Sequence, residues 1–152
     1  KESFDALSFN CYALSPDHEK MNHALEISGL PMIIGEYHFG TVDRGLAQSL
    51  WQVNSQKERG DAFRYYTENA FAHRGLIGTG WFRWIDQNIN GRTDGENYNC
   101  GFIDVTDRPY PYMVDAAIET AKSLYEIHSG TKTPFHQAPN AVGHSPIPDL
   151  WE

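Results

Sequence analysis

Three short apolar runs alternate with three stretches of helical periodicity, and that alternation leaves few folds open. The first run, "FDALSFNCYAL" (residues 4–14), has β-compatible residues and a partial alternation that puts Ala6, Ser8, Asn10 and Tyr12 on one face. "SPDHEKMNHALEISG" (15–29) carries helix punctuation: Ser15 as N-cap, Pro16 in the first turn, acids at Asp17 and Glu19, and Gly29 just past the end. The second run has Ile33 and Ile34 at its heart, within "PMIIGEYHFG" (31–40), and a loop follows over 41–55. A helix is expected over 56–73, where Phe63, Tyr66 and Ala70 are spaced by three and four; its internal Gly60 fits a helix poorly. "LIGTGWFRWI" (76–85) reads as a third strand, followed by a polar loop from Asp86 to Arg108. Pro109 and Pro111 then lead into a helix over 112–128, with Val114, Ala117, Ile118, Ala121, Leu124 and Tyr125 apolar.

The order β-α-β-α-β-α predicts an α/β fold, a parallel sheet flanked by helices. An open doubly wound sheet and part of a (β/α)8 barrel both fit. No glycine-rich phosphate fingerprint follows the first strand, which counts against a dinucleotide fold and leaves no cofactor motif. Long loops rich in acids and aromatics, placed after the second and third strands, are what a barrel uses to build its active face. Three βα units are too few for a whole barrel of about 250 residues. The chain has 152 residues, begins without Met, and runs into a strand within a few positions, so it reads as cut from something longer. The tail from Thr131 has four prolines and no periodicity, which suits a surface wrap or linker.

Composition narrows the partners. The net charge is −8 with no Lys/Arg cluster, which argues against nucleic acid or an anionic membrane surface, and no apolar stretch approaches a membrane span. Cys11 and Cys100 lack metal-type spacing and could be buried thiols or one disulfide.

The chemistry is concentrated in Glu36. Strict alternation puts Met32, Ile34, Glu36 and His38 on one face, and a carboxylate ending an apolar strand is costly unless paired, solvated or used. One reading is an ion pair with Arg44. The other is a catalytic carboxylate in need of a second acid, the requirement of glycosidic bond hydrolysis. Tyr12, Tyr37, Trp81, Trp84 and Tyr98 fall near strand ends, where rings could stack on the C–H faces of sugars. Metal readings are weaker. His18 and His23 share a helix without a His-x-x-x-His pair. "DQNINGRTDGEN" (86–97) matches a calcium loop at Asp86, Asn88, Asn90, Gly91 and Asp94, but Asn97 stands where the bidentate Glu belongs and no helix precedes it. A loop that hydrogen-bonds substrate through Asp86, Asp94, Glu96 and Asn97 is the preferred reading, with no metal.

Together, "IIGEYHFG", "GTGWFRWIDQ" and "GRTDGENYNCGFIDVTDRPYP" resemble the C-terminal part of the catalytic barrel of β-agarases in glycoside hydrolase family 50, within the clan-A glycosidases. The resemblance spans residues 4–128 and implies a partial (β/α)8 TIM barrel comprising its last three βα units, strands six to eight. Residues 1–130 are then the C-terminal part of a catalytic domain and 131–152 a Pro-rich tail without counterpart. The resemblance implies a retaining double displacement on an agarose-type galactan. Glu36 would be the nucleophile at the end of strand seven, Asn10 and Tyr12 would lie at the end of strand six, and Trp81 would form a platform on strand eight. His38 and Trp84 join the expected sugar contacts. The family's acid/base glutamate, on strand four, has no counterpart in this chain. For the longer parent, a polysaccharide substrate points to a secreted or periplasmic setting. Another clan-A activity, a β-galactosidase or β-glucanase, and a non-catalytic carbohydrate-binding relic are the competing expectations.

Overall fold

The computed structural model describes residues 3–144. Strand β1 (Leu7–Asn10) leads to α1 (His18–Ser28), β2 (Met32–Tyr37), the short β3 (Trp51–Gln52), α2 (Gln56–Phe71), β4 (Leu76–Trp81), α3 (Pro111–His128) and the short β5 (Val142–Gly143). β1, β2 and β4 form a parallel sheet in that order, and β3 and β5 form a separate antiparallel pair. The fold is thus α/β with a three-stranded parallel sheet and three helices. No helix among the described residues is long and apolar enough to cross a membrane.

Local chemistry explains most helix boundaries. Asp17, not Ser15, caps α1: its carboxylate accepts from Glu19 N at 2.9 Å and Lys20 N at 3.1 Å. An acid at this position satisfies two orphan donors and complements the helix dipole, an advantage the Ser15 hydroxyl lacks. Gly29 closes α1 in the left-handed conformation at φ 61, its N–H reaching Leu25 O at 2.7 Å. Ser55 caps α2 through Glu58 N, and Pro111 opens α3 where its missing N–H costs nothing. The awkward Gly60 has a packing reason. A Cβ there would lie 2.5 Å from the Tyr112 carbonyl oxygen, so α2 and α3 approach too closely at that turn for any side chain.

All three helices lie against one face of the sheet. Met21 of α1, Ala62, Phe63, Tyr66 and Ala70 of α2, and Met113 and Ala116 of α3 join Met32, Ile34, Tyr37 and Leu76 in one core. Among the described residues the other face has no such cover: Ser8 and Asn10 are exposed, and Ile77 is 56% exposed.

Two segments read as irregular are ordered by long-range contacts. Within the expected loop 41–55, β3 folds back beside the end of β2, with Gly40 N to Trp51 O and Val53 N to Gly40 O both 2.9 Å. The tail crosses α2 and supplies β5, so Trp51 pairs with Gly143 and Gln52 with Val142. Residues 145–152 of that tail lie outside the described residues. Cys11 and Cys100 form no disulfide, and burial pushes the Cys100 thiol up to about 12.

Candidate active site at the carboxyl ends of the strands

The position of Glu36 depends on a register shift. Phe9 pairs with Ile34 but Asn10 pairs with Glu36, so β2 carries one extra residue, Gly35, opposite β1. The bulge reverses the alternation beyond it. Met32, Ile34 and Tyr37 are fully buried in the helix-side core, while Glu36 is only partly buried. Glu36 therefore parts from Met32 and Ile34, contrary to strict alternation. A side chain on Gly35 would press on Asn10 Oδ1 at 2.9 Å and Ser8 Oγ at 3.2 Å, which places Asn10 beside the bulge.

Tyr12 donates its hydroxyl to Glu36 Oε2 at 2.9 Å. Burial, then the hydrogen bond to Glu36 and its charge, raise the phenol pKa far above its ordinary value, so Tyr12 stays a donor. Arg44 does not reach Glu36; its Nε lies 3.9 Å from Asp43 Oδ1 and its guanidinium faces the Tyr110 ring. The ion-pair reading of Glu36 is thereby replaced by a phenol–carboxylate hydrogen bond.

His38 is 1% exposed, contrary to its expected sugar contact. Its Nε2 accepts from Leu50 N at 3.2 Å, which leaves the ring proton on Nδ1. Its ring is packed against Tyr12 at 5.0 Å, Tyr98 at 5.8 Å and Phe82 at 5.9 Å. Burial lowers its pKa to about 3, with the Arg59 charge acting in the same direction and a backbone interaction with Phe82 opposing. His38 is a neutral wedge beneath Tyr12.

The tryptophans divide from this cluster. Trp81 packs on Tyr37, Phe63 and Phe102, and donates Nε1–H to Cys100 O at 2.6 Å, so its ring belongs to the helix side. Trp84 is 69% exposed and stacks on Phe102. The ring next to His38 comes instead from Phe82, which a period-two reading of β4 passes over because the strand ends at Trp81.

The loop from Asp86 to Asn99 is held from inside. Asp86 is 4% exposed, and its carboxylate accepts from Asn99 Nδ2 at 2.9 and 3.0 Å, Gly101 N at 2.7 Å and the Tyr110 hydroxyl at 2.6 Å. All of these are donors, so Asp86 organises the loop and does not face substrate or a calcium ion. Asn99 Oδ1 accepts from Thr41 Oγ1, Gln56 Nε2 and Arg59 Nη1 at 2.7–3.0 Å. Arg59, fully buried, also donates to Gly101 O and stacks on Tyr110 at 4.7 Å. Sequence reading missed Arg59, although it shares the helical stripe of Phe63, Tyr66 and Ala70.

Asp94, Glu96 and Asn97 lie further out on this loop. Asp94 pairs with Arg92 at 2.8 Å and accepts from Glu96 N. The Glu96 carboxylate accepts from Gln87 Nε2 at 2.7 Å and Arg92 Nη1 at 3.3 Å, and its charge contributes to the raised pKa values of Tyr12 and Tyr98. Asn97 Oδ1 accepts from Ala47 N at 3.3 Å, joining the two long loops.

No protein-family model matches the sequence. Two curated relatives from Vibrio sp. (strain JT0107) do: β-agarase A is 39% identical over 128 residues and β-agarase B 37% identical over 128 residues, each match covering 80% of this chain. This chain spans only 13% of either relative's length. Among solved structures, an exo-β-agarase superposes with a TM-score of 0.80 at 38% identity, covering 86% of this chain and 18% of that one. A second agarase gives 0.77 at 38% identity, with coverages of 84% and 20%. A β-galacturonidase at 16% identity and TM-score 0.52 shares the fold alone. The α/β unit described above therefore matches one part of much longer agarase structures.

Proposed function

We propose that this chain is part of a retaining glycoside hydrolase of the family 50 type, acting on β-galactosidic bonds in agarose-type polysaccharide with Glu36 as nucleophile. The observation that carries the reading is the Tyr12–Glu36 hydrogen bond, set at the carboxyl end of a parallel sheet on the face the helices leave uncovered. The similarity to agarases supplies the substrate class.

In this reading β1, β2 and β4 are strands six, seven and eight of a (β/α)8 barrel, and residues 1–130 are the C-terminal part of its catalytic domain. The Glu36 carboxylate attacks the anomeric carbon and displaces the leaving oxygen, forming a covalent glycosyl ester that water then hydrolyses. Retention requires a second carboxyl about 5–5.5 Å away to protonate the leaving group. Glu96 is engaged by Gln87 and Arg92, so the acid is assigned to a part of the protein outside this chain. The Tyr12 hydroxyl holds one Glu36 oxygen and leaves the other to attack. Asn10, Trp84, Asp94, Glu96 and Asn97 provide polar and stacking contacts to the sugar chain.

The test is mechanism-based labelling of the intact protein with a 2-deoxy-2-fluoro-galactosyl fluoride, followed by peptide mass spectrometry. A fluorosugar ester within residues 31–40, absent in Glu36→Gln, is the expected result. Labelling on another carboxylate, or an inverted product by NMR, rejects the assignment.

A further inference from the structure

Two contact paths run from the C-terminal segment to the Tyr12–Glu36 pair. The segment is anchored on α2 at Phe135, whose N–H donates to Glu68 Oε2 at 2.8 Å and whose ring covers the Arg64 guanidinium at 4.5 Å. It then crosses to β3. There β5 pairs with Trp51 and Gln52, and His144 N donates to Leu50 O at 2.7 Å. Gly143 lies flat on the Trp51 indole; a Cβ on it would approach the ring carbons at 3.1–3.3 Å.

From β3 the first path is a hydrogen bond, Trp51 Nε1–H to the Tyr12 carbonyl at 2.8 Å. The second runs through Leu50, whose N–H donates to His38 Nε2 at 3.2 Å, and the edge-on His38 ring at 5.0 Å from Tyr12. Both end on the residue that donates to Glu36. Tyr12 lies beyond the end of β1: the backbone is tied to β2 at Cys11, whose N–H donates to Glu36 O at 2.9 Å, and the Trp51 and His38 contacts act on Tyr12 itself.

We propose that residues 141–144 act as a strap that positions Tyr12 through Trp51 and His38, and thereby sets the orientation of the Glu36 carboxylate. The strap touches no substrate in this arrangement; it acts through β3. Its catalytic consequence rests on the nucleophile reading of Glu36. Its structural consequence, a fixed Tyr12 hydroxyl, does not.

The experiment compares the intact protein with Gly143→Val, with a chain ended at Asn140, and with Trp51→Phe, which keeps the strap and an aromatic ring but deletes the N–H donor. Two readouts are taken. The first is the downfield NMR signal of the Tyr12 hydroxyl proton, assigned by its loss in Tyr12→Phe. The second is kcat and KM on an agarose-derived oligosaccharide. The expected result is loss or exchange broadening of the hydroxyl signal in all three variants, with kcat lowered roughly 10–100-fold and KM unchanged, since misplacement of a reacting group acts on the transition state. If Gly143→Val or the shortened chain lowers the melting temperature of the whole protein, Trp51→Phe decides. A hydroxyl signal retained in Trp51→Phe and in whichever other variants fold overturns the proposal, as does a change in KM with kcat preserved. Full turnover by Glu36→Gln rejects the nucleophile reading of Glu36 instead, and the hydroxyl signal still reports whether the strap holds Tyr12.

Discussion

His38 makes this protein acid-labile by an amount that follows from its burial. The imidazole is 1% exposed, its Nε2 accepts from Leu50 N, and its pKa falls from an ordinary 6.5 to about 3. In the unfolded chain the ring takes a proton as pH drops through 6.5, whereas the folded protein refuses it until about 3. The unfolded state then binds more protons, so stability is full above 6.5 and is lost progressively as pH falls toward 3. At pH 4.5 the unfolded ring is about two units below its pKa, worth about 2.7 kcal/mol at about 1.36 kcal/mol per unit, of which about 0.2 is already present at pH 7. The net loss between pH 7 and pH 4.5 is roughly 2.5 kcal/mol, and any folded value below about 4 changes it by only a few tenths. Carboxylates titrate over the same range, so the comparison is with His38→Gln, whose amide oxygen can still accept from Leu50 N. His73, whose pKa is lowered by burial and by His18, Arg74 and His128, adds lability of the same sign but is common to both proteins and cancels. Urea unfolding followed by tryptophan fluorescence at the two pH values should give wild type an extra loss of roughly 2–3 kcal/mol over the variant. A difference below about 1 kcal/mol would mean that the folded ring protonates nearly as easily as the unfolded one, and the burial argument fails.

Arg59→Met should cost about 3–5 kcal/mol in thermal unfolding, because Asn99, Gln56 and Gly101 lose a buried donor and Asp86 loses the cation that balances it; a loss under about 1 kcal/mol would show that the network closes without it. Gly60→Ala gains about 1 kcal/mol of helix propensity, yet its methyl meets Tyr112 O at 2.5 Å, so net destabilisation of about 1–3 kcal/mol is expected by denaturant titration. A more stable variant would refute the close crossing of α2 and α3. With the general acid assigned outside this chain, as proposed, residues 1–152 expressed alone should hydrolyse agarose about 10²–10⁴-fold more slowly than the intact protein, and should aggregate through the open edges of β1 and β4. A monomer that unfolds in two states and releases sugar from agarose at the intact protein's rate would refute both.

The sequence alone determined the order of the three longer strands and three helices, the parallel sheet and the helix ends to within a few residues, because those features rest on local causes. The periodicity of Phe63, Tyr66 and Ala70, the caps near Asp17 and Ser55, and Gly29 and Pro111 act within one or two helical turns. Gly35-Glu36 as the end of a strand was legible for the same reason. The face that Glu36 takes was not, since the bulge exists only in the pairing of β2 with β1, a partner more than twenty residues away in sequence. His38 leaves its expected role for another long-range reason, its burial beneath Tyr12 with Leu50 N donating to its Nε2. Asp86 and Asp94 look alike in a polar loop, yet one carboxylate is enclosed by Asn99, Gly101 and Tyr110 while the other pairs with Arg92 at the surface; only the packing of the loop on Arg59 separates them. The tail's lack of periodicity concealed β5, because a two-residue strand has no period of its own and takes its conformation from the Trp51 backbone it meets. Short-range preference chose which segments are helix and strand; long-range hydrogen bonding, which no local pattern encodes, chose which side chains reach the Tyr12–Glu36 pair.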